Sequence, residues 1–196
     1  MAKVIVGASM SLDGYVSGPE NSGFDQLFRW YNSGDIEITT TNPELSFRLT
    51  ETSAAYVRGQ IEDTAALVVG RGVFDTTGGW GGLHPLGSPV VVLTHQVPEG
   101  WEREGKNFIF VTEGIEAAVA RASELAGDKI VGVAAGTIGS QALAAGLVDE
   151  LWVDLVPVVL GGGTPYFQSL GTTPVDGPFS VEQGIGVTHL KYRVAK

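Results

Sequence analysis

Three short segments carry glycines and side chains that suit a phosphorylated ligand, and each follows an apolar run. They are Gly70-Arg71-Gly72, Thr94-His95 and Gly136-Thr137-Ile138. A helix that begins at such a point presents free backbone N–H groups, which bind phosphate oxygens, and a nearby arginine adds charge. We therefore expect these segments to bind a phosphate-bearing group. The alternative for the third is that Gly136 and Gly139 only allow a strand and a helix to pack closely.

Apolar, β-branched runs predict the strands that would position these segments. The runs are Val4–Ala8, Ala66–Val69, Pro89–Leu93, Phe108–Val111, Ile130–Ala134, Leu151–Leu160, Phe179–Gln183 and Thr188–Val194. Helical patterns lie between several of them, at Phe24–Tyr31, Ser53–Glu62, a short piece after Gly72, Ile115–Ala126 and Ile138–Ala145. This alternation predicts an α/β fold.

Most of the predicted sheet is parallel, because near-continuous apolar runs such as ALVV and PVVVL suit strands that are covered on both faces. The last three strands follow one another without helices, with GIG at 184–186 as a turn, which predicts an antiparallel C-terminal edge. In open α/β sheets, ligands bind outside the carboxyl ends of the strands. We therefore expect the three phosphate-binding segments to meet at one edge of a mixed, mostly parallel sheet.

Other ligand-binding motifs are incomplete or missing. GRGVFD has two glycines of a dinucleotide fingerprint but Asp75 in place of the third, so a Rossmann-type dehydrogenase would require a long helix after Gly72. The sequence has no Gly-Lys-Ser/Thr loop and no Gly-x-Ser-x-Gly elbow. His84, His95 and His189 lack metal-ligand spacing and the chain has no cysteine, so we expect no metal site.

Length and composition predict one domain over residues 1–196, since the chain has no linker-like or low-complexity stretch. Lys and Arg number 12 against 22 Asp and Glu, which gives a formal charge of −10. Without a basic patch, such a chain repels a polyphosphate backbone, and we expect no nucleic-acid partner. No apolar run is long enough to span a membrane, so we expect a cytoplasmic protein.

Three longer segments resemble the dihydrofolate reductase-like superfamily, and more closely its branch related to the RibD C-terminal reductase domain of riboflavin biosynthesis. They are SLDGYVSGP at 11–19, VVGRGVFD at 68–75 and LAAGLVDELWVDLVPVVLGGGTPYF at 143–167. The resemblance covers nearly the full chain in the expected order. It implies a three-layer α/β/α reductase fold around a central sheet of about eight strands.

The resemblance also implies NADPH as the cofactor, bound across the carboxyl ends of the strands. The implied cofactor residues are Gly70, Arg71 and Gly72 near the adenosine phosphates, Thr94 and His95 at the 2′-phosphate, and Gly136, Thr137 and Ile138 around the pyrophosphate. Relatives commonly carry Gly-Gly at the positions of Ala134 and Ala135. We therefore expect these two methyl groups to limit how closely a cofactor approaches the backbone.

On the substrate side, the resemblance implies a catalytic role for Asp13, a loop acid that would orient the substrate or relay a proton. A pKa raised by an apolar pocket would let Asp13 donate the proton itself; otherwise a water held by Asp13 would supply it. The alternative is a turn residue in an Asp-Gly pair. Gly162, Gly163 and Thr164 match a loop that covers the reacting ring, and Trp30 is a candidate for the pocket wall or the core.

The leading interpretation is an NADPH-dependent reductase that transfers a hydride to a C=N or C=O bond of a small pterin-like or pyrimidine-like substrate. Between Ser9 and Val69 only Arg29, Arg48 and Arg58 are basic, so we do not expect a ribose-phosphate substrate. The alternative is a non-catalytic nucleotide-binding or sensory module with the same fold. The apolar LWVDLVPVVL run, through which relatives often pair, predicts a homodimer.

Overall fold

The computed structural model of the chain describes residues 1–42, 45–101 and 107–195. Its strands are β1 (Lys3–Ser11), β2 (Tyr15–Ser17), β3 (Ile36–Ile38), β4 (Phe47–Leu49), β5 (Thr64–Gly70), β6 (Val90–Leu93), β7 (Phe108–Val111), β8 (Ile130–Ala134), β9 (Glu150–Val156), β10 (Thr164–Pro165), β11 (Val175–Gly184) and β12 (Val187–Val194). Its α-helices are α1 (Phe24–Leu27), α2 (Glu51–Asp63), α3 (Arg71–Thr76), α4 (Ile115–Ala126) and α5 (Thr137–Ala144). The predicted α/β class is confirmed.

One 8-stranded sheet organises the fold, in the order β11-β12-β9-β1-β8-β5-β6-β7. The six strands from β9 to β7 in this order all run parallel to one another. β12 pairs antiparallel with both β9 and β11, and the turn at Ile185-Gly186 joins the last two strands. The prediction of a mostly parallel sheet with an antiparallel C-terminal edge is therefore confirmed.

Helices cover both faces of this sheet. α4 and α5 pack on the face that carries Val6, Val68 and Val133. On the opposite face, Phe74 of α3 packs against Val69 and its neighbours on β6, and the ring of Tyr56 on α2 lies near the ring of Trp152 on β9. Because side chains alternate between the two faces of a strand, adjacent residues of one strand supply both cores. The result is the expected three-layer α/β/α arrangement.

β9 ends earlier than the sequence predicts, at Val156 instead of Leu160. Pro157 follows, and proline has no N–H to donate to a neighbouring strand. The chain then leaves the sheet, although the carbonyl of Val158 still accepts a hydrogen bond from the N–H of Leu12 (2.8 Å). The residues after β9 therefore form a loop beside the end of β1.

One helix prediction needs correction. The pattern over Phe24–Tyr31 is not one helix, because Phe28 has a φ of −103° and separates α1 from a 3-10 turn at Arg29–Tyr31. Aromatic residues favour helix only weakly, and here their packing prevails. The short helix predicted around Gly72 is confirmed: α3 ends at Thr76, so the long helix that the Rossmann-type alternative requires is not formed. None of the helices formed by the described residues is long and apolar enough to cross a membrane.

Candidate functional site

Loops after five strands lie at the carboxyl edge of the parallel sheet, which we call the rim. They follow β1, β5, β6, β8 and β9, and comprise residues 12–14, 71–72, 94–96, 135–138 and 157–163, where 71–72 and 137–138 are the first residues of α3 and α5. Neighbouring parallel strands end at the same edge, so these loops lie side by side. The rim brings together the segments that the sequence singles out for phosphate binding.

Arg71 links the loops after β5 and β6. Its Nη1 donates to the backbone carbonyl of Gln96 (3.1 Å), and its Nε donates to Oδ1 of Asp75 (2.7 Å). The hydroxyl of Thr94 donates to the same Gln96 carbonyl (2.8 Å). His95, between Thr94 and Gln96, is exposed. The imidazole of His95 and the guanidinium of Arg71 therefore share one corner of the rim. Two of the five N–H donors of the guanidinium are already used by Asp75 and Gln96.

Gly70 lies directly against the turn after β8. A Cβ atom at Gly70 would be 2.8 Å from Cγ1 of Ile138, so a side chain there would displace Ile138. At Gly139 a Cβ atom would be 3.0 Å from the carbonyl oxygen of Ala134. The packing alternative therefore holds for Gly139, and Gly70 shows that the first and third predicted segments touch.

The first turn of α5 points its N–H groups at the rim. Gly136 precedes it with a φ of 88°, a conformation that favours glycine, and α5 begins at Thr137 without a side-chain cap. The N–H of Ser140 makes the first helical bond, to the carbonyl of Gly136 (2.9 Å). The preceding N–H groups have no intrahelical acceptor and can bind an anion.

Ala134 and Ala135 turn their methyl groups toward the core. Ala134 packs against the cluster that includes Phe74 and Val92. Ala135 packs against the cluster on the α4 and α5 face. Both residues are only half-buried, so the expected limit on how closely a cofactor approaches the backbone stays a prediction.

Asp13 binds the loop after β9 through both carboxylate oxygens. Oδ1 accepts hydrogen bonds from the Ser11 hydroxyl (2.6 Å) and the N–H of Leu160 (3.0 Å). Oδ2 accepts one from the N–H of Gly161 (2.7 Å). The Ser11 hydroxyl above all, together with these N–H donors, lowers the pKa of Asp13 to about 2. Asp13 therefore lacks the raised pKa that it would need in order to donate a proton itself.

The glycine loop reaches from Asp13 to the turn before α5. Gly162 lies beside Pro19, and Gly163 packs against the backbone of Ser17. Thr164 pairs with Ser17 through the small sheet of β2 and β10. A Cβ atom at Gly136 would be 3.3 Å from Cγ2 of Thr164. The substrate-side candidates therefore contact the phosphate-side candidates at Gly136.

Tyr166, which sequence reasoning misses, joins these parts of the rim. Its N–H donates to the carbonyl of Gly14 and its carbonyl accepts from the N–H of Gly136, both at 2.8 Å. Its buried hydroxyl lies 3.0 Å from the carbonyls of Val6 and of Trp152. Burial raises the pKa of this hydroxyl, which stays a neutral donor. The only sequence signal is an aromatic residue soon after the glycine run.

Trp30 lies in the core and not at the rim surface. Its side chain is 1% exposed. Its Nε1 donates to the hydroxyl of Ser9 (3.1 Å), and its ring meets the edge of the His189 imidazole. The structure therefore places Trp30 where the core alternative puts it.

Beside Trp30 lies a buried polar cluster of Ser53, His189 and Asp154, which we call the buried triad. Nε2 of His189 is 3.0 Å from the Ser53 hydroxyl, and Nδ1 is 2.7 Å from Oδ1 of Asp154. The residue types match a serine hydrolase triad. Ser53, however, is fully buried, and a Cβ atom at Gly184 would contact its hydroxyl. No substrate reaches this serine, so the buried triad is structural.

Outside the rim, the described residues form two depressions, of about 230 Å³ and about 330 Å³, and no metal-binding cluster. Within residues 1–42, 45–101 and 107–195, no group of three or more His, Asp or Glu side chains is arranged to hold a metal ion. A depression of about 230 Å³ lies between α2 and β9, lined in part by Tyr56, Asp63, Trp152 and Lys191. Trp152 is near the amino end of β9, so this depression is remote from the rim.

Comparisons with known proteins agree with this architecture. The chain is similar to a crystal structure from Shewanella sp. PV-4 named for a proposed role in riboflavin biosynthesis, with 24% identity, a TM-score of 0.73 and full coverage of both chains. It also resembles Acinetobacter baumannii RibD, with 14% identity, a TM-score of 0.60, and coverage of 100% of this chain and 58% of the other.

A third similar structure is a Thermotoga maritima diaminohydroxyphosphoribosylaminopyrimidine deaminase/5-amino-6-(5-phosphoribosylamino)uracil reductase, with 14% identity, a TM-score of 0.60, and coverage of 99% and 57%. The chain thus spans a little over half the length of the last two proteins. No curated protein matches it in sequence. The family described as the RibD C-terminal domain matches residues 2–175. With its fold and most of its length matched, the chain belongs to the RibD C-terminal domain family.

Proposed function

We propose that this protein is an NADPH-dependent reductase that transfers a hydride to a C=N or C=O bond of a small pterin-like or pyrimidine-like compound. The observation that carries the proposal is the convergence of five loops at one rim. The phosphate-binding segments lie on one side of Gly136, and the loops of Asp13 and Gly162 lie on the other. The Thermotoga relative, named in part as a uracil reductase, supports the same reaction class.

The phosphate side of the rim fits a phosphorylated dinucleotide. Arg71 and His95 supply a guanidinium and an imidazole at one corner, and the uncapped first turn of α5 supplies N–H groups at the centre. The positive φ of Gly136 (88°) turns the chain from β8 directly into this first turn of α5. NADPH, when bound, supplies the hydride.

The acceptor also needs a proton on its nitrogen or oxygen atom. The pKa of Asp13 is lowered to about 2, which supports a water and not this carboxyl as the donor. Each carboxylate oxygen can accept two hydrogen bonds. Oδ1 accepts two, whereas Oδ2 accepts one from Gly161, and the Asp13 side chain is exposed to solvent. A water held there supplies the proton.

NADPH titration, followed by the fluorescence of the reduced nicotinamide, tests the cofactor side. Arg71→Ala removes a charged donor, and we expect roughly tenfold to hundredfold weaker binding. Arg121→Ala is the matched control, because Arg121 is an exposed arginine on α4 that pairs with Glu124 (2.8 Å). Equal affinities for the wild type and Arg71→Ala, or no binding at all, would contradict the proposed site.

Turnover with a panel of oxidised pterins and pyrimidines tests the reaction. We expect the nicotinamide absorbance to decrease with at least one of these acceptors. If NADPH binds at the rim but no acceptor oxidises it, the alternative of a non-catalytic nucleotide-binding module is supported instead.

The acceptor is expected to carry no phosphate. Arg29, Arg48 and Arg58 are exposed but lie on separate elements, namely a 3-10 turn, β4 and α2. Phosphate recognition favours clustered cations. Comparing an acceptor with its ribose-phosphate derivative tests this point: we expect the derivative to have the lower kcat/KM.

We also propose a homodimer formed through the face of β9, β12 and β11 that lies opposite α2. Leu155, Leu190 and Tyr192 are only half-buried there, and Val181 is 59% exposed. α4 and α5 pack mainly on β5, β6 and β8, and do not fully cover this face. Sedimentation analysis of Val181→Asp tests the interface, and we expect this variant to be monomeric.

A further inference from the structure

The exposed side chain of Asp13 makes more hydrogen bonds to its own chain than a turn residue requires. Two of them cross to the backbone of a loop that is 147 and 148 residues away in sequence. We infer that Asp13 is a positioning residue that holds the loop over 157–163 in place at the rim. The expected effect on turnover rests on the proposed reductase function, whereas the effect on the loop does not.

The loop presents Asp13 with a ready-made anion site. The consecutive N–H groups of Leu160 and Gly161 both point at its carboxylate, and Gly161 has a φ of 75°. Consecutive N–H groups in such a turn form a concavity that binds anions. The chain fills this concavity with its own carboxylate, so a substrate phosphate is not accommodated there.

The Asp13 contacts hold the middle of a loop whose two ends are fixed in other ways. Near its start, the carbonyl of Val158 accepts the N–H of Leu12 (2.8 Å). After its end, Thr164 pairs with Ser17. Without the carboxylate, the segment between these points would lose the acceptor for two N–H groups. Gly162 and Gly163, which are proposed to cover the substrate, would then move more freely.

Ser11 keeps the carboxylate of Asp13 aimed at the loop. Ser11 is fully buried, and its hydroxyl donates to Asp13 (2.6 Å) while accepting the N–H of Tyr15 (2.9 Å). The lowered pKa of Asp13 means that the carboxylate stays ionised through the neutral range. Hydrogen bonds to an ionised acceptor are stronger than neutral ones. The loop is therefore held by charge-assisted bonds that persist at working pH.

Hydrogen exchange of the unliganded protein tests the loop directly. In Asp13→Asn, the amide group places N–H donors opposite the loop donors. We expect the amides of Leu160 and Gly161 to exchange roughly tenfold to hundredfold faster. Ser11→Ala should give a smaller increase at the same amides. Asp128→Asn, an exposed aspartate before the amino end of β8, is the matched control and should give none. Unchanged exchange in Asp13→Asn would overturn the inference.

The kinetics separate positioning from proton donation. We expect Asp13→Asn to lower kcat/KM for the acceptor by at least about tenfold while the NADPH dissociation constant changes little. Between about pH 5 and pH 8, we expect Asp13→Asn to leave the shape of the pH profile of kcat/KM unchanged, so that no break in the wild-type profile is lost in the variant. Such a break would identify the carboxyl as the proton donor and overturn the inference. If no variant turns over NADPH, the reductase proposal fails, and the exchange data still decide the role of Asp13.

Discussion

The buried triad makes a sharp stability prediction for His189→Phe. Phenylalanine keeps a flat ring between Tyr56, whose ring centroid is 4.0 Å away, and Trp30 at 5.1 Å. It removes both nitrogens, so Asp154, which is 7% exposed, and the fully buried Ser53 lose their partner. Leaving a buried polar group without its hydrogen-bond partner costs about 1–3 kcal/mol, and here two groups lose theirs, which is a large part of the stability of a typical domain.

Denaturant unfolding monitored by tryptophan fluorescence measures this loss, and the melting temperature should fall by roughly 10 °C. Adding Asp154→Asn to His189→Phe replaces the unpaired carboxylate with a neutral amide, and we expect it to restore about 1–2 kcal/mol. Thr188→Val, on the opposite face of β12, is the control and should stay within about 0.5 kcal/mol. A loss below about 1 kcal/mol for His189→Phe would show that the buried triad contributes little to stability.

Three further predictions concern stability. Burial lowers the pKa of His84 from 6.5 to about 4, so the unfolded state takes up a proton before the folded state does. The free energy of unfolding should therefore fall by about 3 kcal/mol from about pH 7 to pH 4, and His84→Gln should lack this contribution. Gly139→Ala should cost about 1–3 kcal/mol because its Cβ meets a backbone oxygen, whereas Gly59→Ala, with open space inside α2, should stabilise by about 0.5–1 kcal/mol in the same unfolding assay. Tyr166→Phe should cost about 1–2 kcal/mol in thermal unfolding, and an unchanged melting temperature would show that its hydroxyl bonds are negligible.

Local patterns were sufficient for most of the sheet. Runs such as Phe108–Val111 and Ile130–Ala134 match the observed strands residue for residue. The turn before β12 was also predictable from the glycines of GIG, and in the structure Gly186 adopts a φ of 74°, which favours glycine. The extent of β9 was not, because Val158 and Leu160 are as apolar as the strand itself. Their apolar side chains pack against the cluster of Leu27 and Trp30 instead of extending the sheet.

The candidate site divides in the same way. Parallel strands end at one edge, so the sequence was enough to predict that Arg71, Thr94 and Gly136 are neighbours at the rim. The hydrogen-bond partners of Asp13 could not be predicted from the sequence, because the two N–H donors that help to lower its pKa lie 147 and 148 residues away. The same holds for Tyr166, whose contacts come from the ends of several strands.

Periodicity and turn chemistry act within a few residues, and they are visible in the order of the amino acids. They account for the strands, the class of fold and the segments that follow each strand. Hydrogen-bond partners and burial depend on which distant segments meet once the sheet is assembled. That is why the ionised state of Asp13, the inward methyl groups of Ala134 and Ala135, and the enclosure of His189 became evident in three dimensions.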